Sequence, residues 1–242
     1  MANIFQRVVR IADGGSSGFN ADVEVWWCPA ITLVQGILPY VLTVNTNLVS
    51  GKNIDLKIYE LSGLLGTVDQ TGTGNSSSGV AAGSATAGGV DAQAHDFVVT
   101  AIRTSSGAAA PLTDPASTSN PVPFTSGYLD SFAVETSHRI NTSAVTNNAS
   151  WTYGGSSQYA AVIASFAASS APTIVQNLPG THVSNTLSQQ SFGIPPTAGN
   201  ALIVVMGLGP WNPSFQVTSV TDNQVQAYVP LGGLGDLEYH YR

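Results

Sequence analysis

Charge is what this sequence has least of. Its 242 residues include 7 Lys and Arg against 14 Asp and Glu, a formal charge of −7, and charged residues make up only 9% of the chain, against ~25% in an average soluble domain. Seven scattered basic residues cannot line a phosphate-tracking stripe, so nucleic acid is excluded as an expected partner. There is one cysteine, Cys28, so no disulfide can form within the chain; it reads as a small apolar filler at a strand end. No apolar run approaches the ~18 residues of a membrane span. The opening Met1-Ala-Asn-Ile-Phe-Gln-Arg has neither the basic stretch nor the apolar core of a secretory leader, which predicts synthesis without a standard export signal. What the chain does have is 43% hydrophobic residues, 27 Ser, 22 Thr and 25 Gly. That composition supports a sizeable core under a neutral, hydroxyl-rich exterior.

The recurring pattern has a period of two, as strands require. In Ala21-Asp-Val-Glu-Val-Trp-Trp-Cys28, Asp22 and Glu24 alternate with Val23, Val25 and Trp27. This predicts a strand with its carboxylates on a solvent-exposed face. Ile54, Leu56 and Ile58 alternate with Asp55, Lys57 and Tyr59. Further strands are expected at 8–12, 40–45, 97–103, 129–136, 160–166, 201–207, 216–221 and 227–231, separated by Gly, Pro, Asn and Ser clusters. Leu202-Ile-Val-Val-Met206 is unbroken apolar sequence, which predicts a strand buried on both faces. No segment carries a capped amphipathic helix. The expected fold is therefore all-β, an antiparallel β-sandwich of jelly-roll or immunoglobulin-like type. Two low-complexity stretches, 71–89 and 107–120, read as long ordered loops or irregular edge strands. The small residues and proline of 167–172 read as a linker between a main sandwich, 1–166, and a strand-donating segment, 173–242.

Chemistry-bearing motifs are missing. No GxSxG elbow, HExxH helix, P-loop or CxxC pair occurs, and His95, His138, His182 and His240 have no metal-ligand spacing. The chain is accordingly expected not to be an enzyme and to need no cofactor or metal. Trp26 and Trp27 are neighbours on one strand, so they point to opposite faces and only one is expected in the core. The other, taken as Trp26, is a candidate for a subunit interface or for stacking on a sugar. Trp211, in the proline-bracketed Gly209-Pro-Trp-Asn-Pro213, and the tail residues Tyr239 and Tyr241 are further contact candidates, with Leu202 and Val204 on the apolar strand.

The stretch Pro196-Thr-Ala-Gly-Asn-Ala-Leu-Ile-Val-Val205, followed by Val217-Thr-Ser-Val-Thr-Asp-Asn223 and Tyr228, resembles the opening of a recurrent β-sandwich module of phage tail and virion proteins and of large repetitive bacterial surface proteins. Residues 21–28, 54–63, Asp69-Gln70 and 160–166 resemble its later part. Gln224-Val225 replaces the module's usual Gly-Asn, which alters the expected hairpin turn. The order is also permuted, since the opening motif lies after the later part. The resemblance implies a fold and not an activity. It implies that 171–232 completes a sandwich begun by 6–166, within one chain or by strand exchange between chains. The function expected from all this is a structural virion or extracellular-appendage protein that assembles with itself or with other subunits. A carbohydrate-binding or adhesin module recognising surface glycans is the alternative.

Overall fold

The computed structural model describes residues 3–12, 20–33, 39–47, 53–86, 93–104, 124–129, 134–183, 187–192, 194–211 and 217–224. These contain strands and no helix. The strands are β1 (Gln6–Ala12), β2 (Asn20–Cys28), β3 (Val41–Thr46), β4 (Asn53–Thr86), β5 (Phe97–Thr104), β6 (Thr125–Leu129), β7 (Val134–Ile140), β8 (Asn148–Val183), β9 (Leu187–Ser191), β10 (Ala201–Trp211) and β11 (Val217–Asp222). Eight of them form one sheet in the order β1-β2-β10-β4-β8-β5-β7-β6, and three form a second, β11-β3-β9. Every pairing is antiparallel.

Alternation along the central strands sorts side chains into two cores. From β2, β4 and β10, Trp26, Cys28, Ile54, Leu56, Ile58, Leu202, Val204, Met206 and Leu208 share one cluster with Tyr40, Leu42, Val44, Phe192, Val217 and Val220 of the small sheet and its flanks. On the opposite face, Val23, Val25, Trp27, Tyr59, Leu61, Ile203 and Val205 share a second cluster with Phe97, Val99, Ala101, Val162, Ala164 and Phe166. The second set comes from the far half of the same sheet. The large sheet is therefore turned over so that its halves meet face to face, with Trp27 and Phe166 ring centroids 5.1 Å apart.

The turn-over is built into β4 and β8. Gly63 and Gly66 have φ of +89° and +77°, values that favour glycine, and the β4–β8 register breaks between Ser62 and Leu64 and again between Leu64 and Val68. Such breaks bend a strand and sharpen its twist. Before them β4 lies between β10 and the end of β8; after them it pairs with the start of β8, which also carries β5. A third cluster, including Val98, Ile102, Phe124, Trp151, Tyr159 and Ile163, caps the outer face of β5 and β8.

The apolar run behaves as its sequence predicts: residues 201–208 of β10 are all buried, between β2 and β4 of the same chain. Each of its large aliphatic side chains contributes up to ~1.5–3 kcal/mol by leaving water. Other expectations are corrected. Residues 167–172, read as a linker, run inside β8. Residues 71–86, read as a long ordered loop or an irregular edge strand, are strand: they continue β4 in a ladder with β8 that extends from Thr71↔Ala164 to Thr86↔Asn148. Glycine and serine give no hydrophobic alternation there, while the main-chain ladder with β8 runs on through the stretch. The single strand expected at 129–136 is the end of β6 and the start of β7. The stretches 107–120 and 227–231 lie outside the described residues.

Candidate functional site

The described charged residues, few as they are, have mostly gone inside. Among the described residues are eight carboxylates, and all but Asp69 are buried: Asp22, Glu24, Asp55, Glu60, Asp96, Glu135 and Asp222. Of five described cations, Lys57, Arg103 and Arg139 are buried as well, leaving Arg7 and Arg10 partly exposed on β1. The expectation that Asp22 and Glu24 lie on a wet face is thus overturned. The physical reason is that the β2 face they share with Trp26 is covered by the small sheet.

Five of the buried carboxylates each tie separate parts of the chain together or accept from buried donors. Glu60 on β4 accepts hydrogen bonds from the Thr197 amide at 2.7 Å, from Asn200 Nδ2 at 2.6 Å and from Gln176 Nε2 at 2.7 Å. It therefore anchors the segment that leads into β10. That segment is completed by Gly199, whose φ is +87°, and by a reciprocal pair of main-chain bonds to Ile31, from Gly199 N to Ile31 O and from Ile31 N to Asn200 O, both 2.8 Å. Asp222 at the end of β11 accepts from Tyr40 Oη and Asn3 Nδ2, both at 2.6 Å, and from the Gln224 amide at 3.0 Å. Glu24 accepts from Trp26 Nε1 at 2.8 Å and from the Val217 amide at 3.1 Å, which ties β2 to β11. Asp55 pairs with Arg103 at 2.5 Å and with His182 Nδ1 at 2.6 Å. Glu135 accepts from Ser137 Oγ and Trp151 Nε1. Charged hydrogen bonds of this kind hold buried backbone donors that would otherwise lose their water partners.

Burial also displaces protonation. Burial pushes Asp22 up to about 7, with Arg10 opposing and Glu24 adding to the rise; its Oδ2 takes Arg10 at 2.7 Å, while its buried Oδ1 has no partner. Burial lowers Lys57 to about 8, and burial together with the Lys57 charge lowers His138 to about 4. Burial raises Cys28 to about 11, so its thiol stays protonated and inert. Burial and the adjoining Asp222 hold the Tyr40 phenol well above its ordinary range. None of these groups forms a nucleophile–base pair opening on solvent. Among the described residues no cluster of three or more His, Cys, Asp or Glu is arranged to hold a metal.

No protein-family model, no curated protein and no solved structure matches this chain. Its own surfaces must carry the functional reading.

The contact candidates separate into two groups. Trp26 is 8% exposed, and Leu202 and Val204 are wholly buried, all three in the core shared with the small sheet. Trp26 and Trp27 are both inside, because the sheet is covered on both faces. Trp211 ends β10 opposite Asn20; Tyr239 and Tyr241 lie outside the described residues. The large apolar side chains that the described residues do expose are Ile4, Leu65, Val175 and Ile194. They sit at one end of the strands, the end where Gln6 pairs with Trp27, Ala201 with Leu61 and Leu61 with Ile174. Nothing in the sequence pattern marked them, because each is an isolated residue brought to that end by strand register.

Asp22 offers a direct check on the interior charges. Its carboxyl is shifted from 3.8 to about 7 on folding. The folded state therefore holds a proton that the unfolded state has released between those values. The Asp22 contribution to stability should fall as pH rises through that window and level off above it. The Asp22→Asn variant should match the parent near pH 4 and be more stable by about 1–2 kcal/mol at pH 8. Urea unfolding of both proteins across pH 4–8 measures this, and parallel curves reject it.

Proposed function

We propose that this chain is a structural subunit of a virion or an extracellular appendage, assembling with itself through β-sandwich contacts and strand exchange. The observation that supports it most is the inversion of charge: ion pairs and carboxylate anchors lie inside, while the described exterior is close to neutral. Such a surface can be packed against another without stripping water from many ions. The exposed side chains of Ile4, Leu65, Val175 and Ile194 add apolar places where such packing is favourable. The small sheet packed on the large one through a common core is in keeping with a sandwich. β10, apolar on both faces and docked only through its ladders and its two cores, suits a strand that fills the same slot in a neighbouring copy.

Size-exclusion chromatography with light scattering at high micromolar concentration, followed by electron microscopy, tests this reading. Oligomers or regular fibres are expected. A monomer at every concentration rejects it. The glycan-binding alternative loses three candidate platforms, since Trp26, Trp27 and Trp151 are buried.

A further inference from the structure

Tyr59 lies on β4 before the bend and meets the far half of the large sheet through two rings at once. Its centroid is 5.7 Å from that of Phe97 on β5 and 5.1 Å from that of His138 on β7, edge-on to both. His138 in turn stacks on Phe97, with centroids 5.7 Å apart and planes 25° from parallel. The joint between the halves is therefore held by three rings, one of which can take a proton. His138 is buried, and its Nδ1 has no hydrogen-bond partner among the described residues. Lys57, also buried, lies against the same Tyr59 ring, its Nζ 5.6 Å from the centroid and donating to Leu178 O at 2.5 Å.

The charges around this joint do not offset one another. β4 supplies Lys57 and, further along the same face, Asp55. β5 supplies Arg103 and β8 supplies His182, and Asp55 takes up both, at 2.5 Å and 2.6 Å. Glu135 and Arg139 of β7 alternate to the opposite face, where they meet Trp151 and Phe124. Thr125, opposite His138 on β6, is uncharged. Among the described residues no carboxylate is within ion-pair distance of Lys57 or His138. Protonation of His138 would thus place a second cation beside Lys57 in a dry seam, where desolvation and repulsion both oppose it. The Phe97 face offsets part of this, but the Tyr59 face already meets Lys57. We propose that His138 is an acid-operated release for the joint between the two halves of the large sheet. Neutral, it packs between Tyr59 and Phe97; protonated, it drives β5, β6 and β7 away from the first part of β4. Release would also open the seam that Trp27 and Phe166 fill. The device stands apart from the self-assembly reading and would operate in a monomer.

Burial and the Lys57 charge lower the His138 imidazole from 6.5 to about 4. Between those values the opened joint binds a proton that the closed joint refuses. The His138 contribution is therefore intact above the upper value, is lost as pH falls through the window, and levels off below it. Opening should become on the order of 100-fold more favourable across that window. Asp22 acts in the opposite sense and other carboxylates take up protons in acid, so the full chain is compared at each pH with His138→Gln and His138→Phe. Neither variant can ionise at that position, and phenylalanine fills the same ring space. Hydrogen exchange from pH 7 to pH 4, corrected for the intrinsic rates, reads the opening. Amides of β5 and β7 in the parent should lose on the order of 100-fold in protection relative to both variants, ahead of β2 and β10. The His138 imidazole, followed by NMR in the parent itself, should titrate near 4, a readout that needs no variant to fold. The proposal is overturned if parent and variants keep a constant protection ratio over this range, if all strands lose protection together, or if His138 titrates at its ordinary 6.5.

Discussion

Replacing Glu60 by alanine should remove about 3–5 kcal/mol of folding stability, among the largest losses a single substitution in this chain can produce. The carboxylate receives three donors from two segments, and truncation strands the Thr197 amide and Asn200 Nδ2 without partners. Gln176 retains its bonds to Ile194 O and Pro195 O, so the damage concentrates at 197–200. Glu60→Gln keeps the volume and one acceptor oxygen and should lose less than half as much. Urea denaturation gives the two values, and hydrogen exchange at the Thr197 amide should accelerate in the alanine variant. A loss below about 1 kcal/mol would mean that the segment entering β10 is held by its main-chain pairing with Ile31 instead.

Trp27→Ala should be of similar size, about 3–5 kcal/mol, because the indole is 4% exposed and fills the space between the two halves of the large sheet. Its ring meets Phe166 of β8, which is not a neighbour of β2 in the sheet order. A double-mutant cycle with Phe166→Ala isolates this contact, and a coupling of about 0.5–1.5 kcal/mol is expected. Additive losses would show that the two halves are not joined through this pair. Close approach elsewhere in the interface has the same origin: a Cβ placed on Gly207 of β10 would come within 2.8 Å of Val134 on β7.

Much of the fold was legible. The run from Leu202 to Met206 announced a doubly covered strand, and the alternation at 54–59 correctly separated Ile54, Leu56 and Ile58 from Tyr59, which join different cores. Alternation misled at Asp22 and Glu24. A polar face in a strand usually means water, but here it means a second sheet whose Val217 amide needed an acceptor 193 positions away. No local window carries that information. The Glu60 anchor was illegible: Thr197 and Asn200 lie 137 and 140 positions away, and no local pattern shows that they meet. Among the interface candidates, Trp26, Leu202 and Val204 were chosen for apolar bulk, and bulk is what takes a residue into a core.

The position of β10 has a consequence for how the molecule comes to exist. Its two ladder partners, β2 and the start of β4, are complete by residue 61, yet the strand that joins them ends at Trp211. At ribosomal speeds of about 5–20 residues per second, the slot between them stays empty for on the order of ten seconds in every newly made chain. Throughout that interval two apolar strands offer free main-chain edges to whatever is nearby, including another nascent chain on the same messenger. Under the strand exchange proposed above, local concentration during synthesis would decide whether the slot is filled by the chain's own β10 or by a neighbour's. Crowded translation would favour linked molecules, and sparse translation closed ones.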